Sequence, residues 1–376
     1  MNVAIFLTYD YSIKTWKESG TLERELKLYK TINKKYGTKF TFVSFGGFDD
    51  KKILENEKNL KVLPVYTIMK YRNSKILRFI YSFLIPFKLK KNLKNIDIIH
   101  QHQLLGSWVS YLYSKIIKKP LLVRTGYDMY LFAKSENKQL LKIYLYKILT
   151  KLTIKYSEIF TVTSRTDYEH INNVYKGHIS KVKIRPNWIE VDKPLALESR
   201  YQNRILSVGR IVYQKNFQLL INEFKDTKNE LIIDIVGQGN MEKELIELAK
   251  KNNVKINLVG NINYSELIEL YKKYIFYIST SLYEGNPKTL LEAMASGCVV
   301  IASDIPNHKE LITDGENGFI FDLNSPNLKN KYKKLITDRE LINQISKNTI
   351  SSINETNNIL YIADKTYSDY DYLSSL

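Results

Sequence analysis

Alternation is the feature of this chain that most restricts its fold. Short apolar runs recur at Val3–Leu7, Phe40–Phe45, Ile96–His100, Pro120–Arg124 and Ile159–Thr163, with stretches of helical periodicity between them. Leu22–Tyr36 is the clearest helix, with apolar Leu22, Leu26, Leu28 and Ile32. Runs this short and this continuously apolar suit strands buried on both faces, and the intervening helices make the sheet parallel. The pattern stops near Arg185-Pro-Asn187, crosses an aperiodic stretch from Trp188 to Arg200, and restarts. Arg204–Val208, Leu231–Val236, Lys255–Val259, Ile275–Ser279, Val299–Ala302 and Gly318–Phe321 are the strand candidates of the second half, with helices such as Met241–Asn252 between them. At 376 residues the chain suits two doubly wound α/β domains rather than one. The expected division is 1–187, a linker over 188–200, a second domain over 201–350, and a helical tail over 351–376 packing back on the first domain.

The formal net charge of +18 is unevenly spread. Residues 1–190 hold 35 Lys and Arg against 15 Asp and Glu, whereas the remainder hold 22 against 24. Lysine-rich drift would have raised both halves, so the first half is expected to face something anionic. The single cysteine, Cys298, lies in an apolar run and reads as a small buried hydrophobe. With no second cysteine, no intrachain disulfide can form, which fits a reducing compartment. The opening apolar run is too short for a signal peptide, and the greasiest stretch, Ile76–Phe87, spans twelve residues where a membrane helix needs about 20. The chain is therefore expected to be cytoplasmic, peripheral on the inner face of the membrane.

Two motifs carry chemistry. In Ser207-Val-Gly-Arg-Ile-Val-Tyr-Gln-Lys215 a strand ends at Gly209, and Arg210 and Lys215 follow on the loop. Two cations at the carboxyl end of a parallel strand can converge on a diphosphate. In Tyr283-Glu-Gly-Asn-Pro-Lys-Thr-Leu-Leu-Glu292 a loop with Glu284 and Gly285 leads into a helix beginning near Pro287. The free amides of Lys288, Thr289 and Leu290 offer a site for phosphate or sugar hydroxyls. Glu292, one turn in, suits a vicinal diol such as ribose.

These motifs resemble the signature of the retaining "group 1" glycosyltransferases, whose GT-B fold sets two Rossmann-like domains facing each other across a cleft. The similarity runs from Val208 through Val236-Gly-Gln-Gly239 and Val299–Pro306 to Asp314-Gly-Glu-Asn-Gly-Phe319. In the first half it is thinner: Ser19-Gly20 stands where the family has Gly-Gly, His100-Gln-His102 resembles its His-x-His, and Arg185-Pro-Asn-Trp188 resembles its interdomain Pro-Asn. The resemblance implies a nucleotide-sugar donor, with UDP as its nucleotide, and a glycan or lipid-linked acceptor in cell-surface polysaccharide, lipopolysaccharide or glycolipid synthesis. Arg210 and Lys215 would clamp the diphosphate, Glu292 would hold the ribose, and Glu284 the hydroxyls of the donor sugar. The amides from Asn286 to Leu290 would bind sugar and phosphate. Gly260-Asn261-Ile262 would cradle the base, Gly20 a phosphate, and His102 would reach the sugar from the first domain. Such chemistry needs no metal and no cofactor, because fixed cations and a helix N-terminus stabilise the leaving diphosphate.

Other signals read as structural. Gly237-Gln-Gly239 lacks the third glycine of a dinucleotide fingerprint, so NAD is not expected. His100 and His102 share a strand face but have no third metal ligand nearby, and Asp369-Tyr-Asp371 reads as surface. Two rival functions remain: a polyanion- or RNA-binding protein, against which stands the lack of any nucleic-acid motif, and an inactive glycosyltransferase-like domain, against which stands the full set of Arg210, Lys215, Glu284 and Glu292. The basic surplus concentrates in residues 70–94, which hold Lys70, Arg72, Lys75, Arg78, Lys88, Lys90, Lys91 and Lys94, no acidic residue, and the run Phe79–Phe87. This segment is expected to contact an anionic membrane, where each basic residue contributes about 1 kcal/mol.

Overall fold

The computed structural model describes residues 1–136, 138–177, 179–191, 194–227 and 230–376. Asp192 and Lys193 of the expected linker lie outside these. The chain divides into two units: Met1–Pro186 together with Leu360–Leu376, and Asn187–Ile359.

The first unit is a parallel sheet of β1 (Asn2–Phe6), β2 (Lys39–Ser44), β3 (Leu60–Pro64), β4 (Ile98–Gln101), β5 (Leu121–Arg124), β6 (Ile159–Val162) and β7 (Val182–Ile184). The strand order is β3-β2-β1-β4-β5-β6-β7. All the central strands except β2 match the apolar runs in being buried along almost their whole length, as sheets covered on both faces require. The sequence reading missed β3 and β7. Both are edge strands, half-exposed and interrupted by Lys61 and Lys183, so neither shows the continuous apolar run of a strand with two neighbours.

The helix Leu22–Tyr36 forms where its periodicity places it. Leu26, Tyr29 and Ile32 are buried along one face, Glu23 and Glu25 occupy the first turn, Lys34 and Lys35 the last, and Gly37 closes it at a φ of 67°. That charge order complements the helix dipole, and glycine alone takes the left-handed cap without strain.

The second unit repeats the pattern with β8 (Tyr201–Val208), β9 (Ile232–Val236), β10 (Lys255–Gly260), β11 (Tyr274–Ser279), β12 (Val299–Ser303) and β13 (Phe319–Phe321). All six were legible as apolar runs. Their order, β10-β9-β8-β11-β12-β13, is that of a doubly wound Rossmann sheet. Alternate residues build a core on each face: Ile205, Ile233 and Ile301 on one, Leu206, Val208 and Val300 on the other. Cys298 is buried, and burial pushes its thiol up to about 12.

Two expectations about charged residues are corrected. Asp369 is not on the surface: it is 2% exposed, with Arg185 donating from Nε and Nη2 at 2.7 Å each and Lys183 at 2.8 Å. Only Asp371 of that pair is exposed. The sequence hides this because the partners lie on β7 and just past its end, 186 and 184 positions earlier. Arg78 does not face outward with the other cations of 70–94. It is 8% exposed, its guanidinium donating to Asp10 at 2.7 and 3.0 Å. No helix among the described residues is long and apolar enough to cross a membrane.

Candidate functional site

In the second unit the candidate residues gather at the carboxyl ends of β8, β9, β10 and β11, on either side of the point where the strand order reverses between β8 and β11. Open α/β sheets bind ligands at such a point, because the outgoing loops diverge and leave a crevice. The loop after β8 carries Gly209, exposed Arg210 and a short 3-10 turn, Tyr213–Lys215. Arg210 has no side-chain partner among the described residues.

Close backbone approach shapes the crevice. The amide of Gly209 donates to the carbonyl of Val236 at 2.9 Å, and that of Gly237 to Gly260 at 2.9 Å. A Cβ on Gly237 would sit 2.1 Å from the carbonyl oxygen of Gly209, and one on Gly239 would sit 2.0 Å from that of Ile211. The two glycines of Gly237-Gln-Gly239 therefore let two loops touch, a demand unrelated to a dinucleotide. Asn261 then donates to the side chain of Gln238 at 3.1 Å, tying the β10 loop to the β9 loop beside the exposed edge.

Lys215 and Glu284 meet directly. Lys215 Nζ donates to Glu284 Oε1 at 2.5 Å, and Ser281 Oγ donates to the same oxygen at 2.7 Å. Gln214 Nε2 reaches Glu284 Oε2 at 3.3 Å and the carbonyl of Tyr283 at 2.8 Å. Thr280 Oγ1 lies 2.9 Å from the carbonyls of both Lys215 and Asn216, which share its one proton, so the β8 and β11 loops are stitched beside the pair. Burial alone would raise the Glu284 carboxyl, but the Lys215 charge and the hydrogen bonds from Lys215 and Ser281 outweigh it and hold the carboxyl below its usual range. Behind them lies His308, fully buried, its Nδ1 2.9 Å from the Ser303 carbonyl. Burial drives this imidazole down to about 4, against partial opposition from Glu284 and that carbonyl.

The helix Lys288–Ala295 follows, with Pro287 as its N-cap and no side-chain cap bond. A cap of this kind supplies no side-chain acceptor of its own to the first-turn amides. Tyr277 hydroxyl donates to Thr289 Oγ1 at 3.1 Å from the strand beneath. Glu292 is 1% exposed and accepts from the Tyr271 hydroxyl at 3.4 Å, so it is no surface ion pair. The side chain and carbonyl of Asn286 are held by Asn187: its Oδ1 accepts from the amide of Asn187 at 3.0 Å and its carbonyl from Asn187 Nδ2 at 2.7 Å. Lys288 lies over the ring of Trp188 at 4.8 Å. Leu290 is buried in the core beneath, Gly285 is buried in the loop, and Ile262 packs against the same core from the β10 side.

In the first unit, His102 stands just past the end of β4 in a cavity of about 280 Å³ lined also by Thr8, Trp16, Glu25, Tyr127 and Met129. Its Nε2 lies 3.2 Å from Glu25 Oε2, and its ring packs on Trp16 with centroids 5.2 Å apart. His100, one face-sharing position earlier, is buried with Nδ1 2.6 Å from the Tyr370 hydroxyl, and burial holds its pKa well down. Gly20 turns the chain between two helices at a φ of 69°, its amide donating to the Lys17 carbonyl at 3.1 Å.

Arg210, Lys215, Asn261, Glu284 and the 288–290 amides thus share one edge of one sheet, while Gly20 and His102 belong to the other unit. Sequence reasoning missed Glu25, Gln214, Tyr271, Ser281 and His308. Gln214 adjoins Lys215 and His308 follows Pro306 by two, but their partners are set only by the fold.

Two families match. Residues 193–352 match the family described as Glycosyl transferases group 1, and residues 39–193 that described as Glycosyltransferase Family 4. Among curated relatives, an N-acetylgalactosamine-N,N'-diacetylbacillosaminyl-diphospho-undecaprenol 4-alpha-N-acetylgalactosaminyltransferase of Campylobacter jejuni is 26% identical over 80% of this chain and 85% of its own. A UDP-Gal:alpha-D-GlcNAc-diphosphoundecaprenol alpha-1,3-galactosyltransferase of Escherichia coli is 25% identical over 78% and 80%. The crystal structure of Anabaena HepE in complex with UDP and glucose superposes with a TM-score of 0.76, covering 100% of both chains at 15% identity, a likeness of fold.

Proposed function

From the premise that this chain is a glycosyltransferase built on the two-Rossmann GT-B fold, we propose that it moves a sugar from a UDP-sugar to a lipid-linked glycan acceptor, with retention of anomeric configuration, in the synthesis of a cell-surface polysaccharide, lipopolysaccharide or glycolipid. The observation that carries the donor reading is the Lys215–Glu284 pair, stitched by Gln214, Ser281 and Thr280 at the carboxyl edge of β8 and β11. The UDP and lipid-linked assignments draw support from the Campylobacter and Escherichia relatives, whose names specify diphospho-undecaprenol acceptors, and from UDP in the Anabaena structure.

Each residue has a task in that reaction. Cleaving the bond between the anomeric carbon and the diphosphate leaves negative charge on the departing oxygens. Arg210, Lys215 and the first-turn amides of Lys288–Ala295 are preorganised to receive it, which lowers the barrier without reorganisation. Glu284, kept ionised, accepts hydrogen bonds from sugar hydroxyls. Glu292, steadied by Tyr271, accepts them from the ribose, and the Gly260–Ile262 loop holds the base. His102 is assigned to the donor sugar, with Glu25 fixing its ring, and Gly20 to a phosphate. No metal or cofactor is required by these roles.

Calorimetric titration with UDP, GDP and ADP, then with UDP-sugars, tests the reading. Preference for UDP, with its affinity weakened in Glu292→Ala, is expected. Equal affinity for all three, or for none, would overturn it.

A further inference from the structure

Two helices of the first unit turn their apolar side outward. In Lys75–Ser82, Ile76 is 73% and Ile80 55% exposed, while the buried positions are the polar Arg78 and Ser82. In Leu140–Tyr156, Leu141 is 70% and Leu145 54% exposed, with Ile148 and Leu152 continuing the same stripe, while the buried set is Thr150, Thr153 and Ile154. A helix packed on its own domain shows the reverse pattern.

Both touch a third helix, Ser107–Ile117: Trp108 donates to Ser82 Oγ at 2.8 Å and meets Phe79, whereas Tyr111 packs on Tyr156 and Ser107 bonds Thr153. Exposed apolar side chains are thus carried by two helices packed on a third, a concentration that soluble surfaces rarely leave without a partner.

We propose that this two-helix surface seats the protein on an anionic lipid bilayer, Ile76, Ile80, Leu141 and Leu145 entering the acyl boundary and the surrounding lysines meeting the headgroups. Charge selects the occupant. Residues 70–94 and 137–157 contain no acidic residue, and Lys75, Lys88, Lys90, Lys142, Lys151 and Lys155 are exposed among the apolar positions. A second copy would set these lysines against one another, and a nucleic acid would leave the leucines and isoleucines wet. A bilayer satisfies both kinds of side chain. Neither helix is long and apolar enough to span it, so each lies in the interface.

The inference rests on the lipid-linked acceptor reading only for what docking would deliver. Flotation reads it without turnover: the intact protein is mixed with phosphatidylcholine vesicles, with and without phosphatidylglycerol, at low and high salt. Binding to phosphatidylglycerol vesicles at low salt, released by high salt, is expected. Ile76→Glu with Ile80→Glu, and separately Leu141→Glu with Leu145→Glu, should each cut the bound fraction at least about tenfold. UDP affinity should not change in either. Lys88→Gln with Lys90→Gln and Lys91→Gln supplies the same test should an apolar pair fail to fold. No flotation, flotation indifferent to lipid charge and salt, or a Leu141/Leu145 pair without effect would overturn the assignment. So would self-association or RNA retention that the variants abolish in protein that never floats. A protein that floats as described but binds no UDP keeps this surface and loses the transferase substrate reading instead.

Discussion

Arg210 and Lys215 differ in setting, and that difference can be measured. Arg210 is exposed at the loop, whereas the Lys215 side chain is 14% exposed and bonded to Glu284. Replacing either by Ala removes one preorganised cation from the leaving diphosphate, so turnover should fall about 10²–10³-fold. Lys215→Ala should in addition leave Glu284 buried without its counter-charge and lower the melting temperature, an effect Arg210→Ala lacks. Comparison of kcat and Tm for the two variants checks this. Near-normal turnover in a folded Arg210→Ala protein would dismiss its role. The carboxylates should separate too: Glu292→Ala weakens UDP binding, whereas Glu284→Ala spares UDP binding and impairs transfer of the sugar. Equal loss of UDP affinity in both would show that Glu284 does not face the sugar. The types and spacing of these residues were legible because they cluster in two local motifs. His308, Gln214 and Glu25 were not, because what they touch is supplied by loops far away in sequence.

At the scale of elements, the helix Ile359–Ser374 is fixed to the first unit by Asp369 on Arg185 and Lys183, Tyr370 on His100, Tyr367 stacked on Tyr36 at 3.7 Å, and Asp364 on Lys35 and Tyr36. Asp369→Ala should destabilise the first unit by about 3 kcal/mol, the cost of stranding the partner of a buried ion pair. Hydrogen exchange along 359–374 and β7 reports it; unchanged protection there would contradict the anchoring. Central strands were readable from sequence because burial on both faces makes them apolar throughout. The edge strands β3 and β7 pair on one side only, tolerate lysine, and so carry little trace of their state. Helix 140–156 misleads in the opposite sense, since its leucines look like a core face and are turned outward.

Across the whole molecule, buried histidines set the response to acid. His308 titrates at about 4 in the folded state against an ordinary 6.5, and His100 is displaced the same way. Folded chains therefore bind fewer protons than unfolded ones in this range. The stability from keeping His308 neutral is full above pH 6.5 and is lost as pH falls toward 4, a change of about 3 kcal/mol if the site stays intact. Glu284, also depressed, withdraws its share as pH falls further, through its own lowered value. Thermal melts from pH 7 to 4.5 should show this slope, and His308→Gln should flatten it; an unchanged slope would exclude His308 as a source. Fold class and second-unit strands could be read from periodicity alone; the tail expected to pack back on the first domain spans 351–376, whereas the chain returns to the first unit only at Leu360, because nothing in the local pattern marks where the helical stretch changes unit.

That return orders events in time. The chain leaves the first unit at Pro186 and returns at Leu360, so a ribosome completes every strand of the second sheet before the last helix of the first exists. Until Tyr370 and Asp369 emerge, His100 lacks its hydroxyl partner and Arg185 its carboxylate. The half of the protein made first is thus finished last, and a released chain truncated after Ile359 should hold a protease-resistant second unit and an unsealed first.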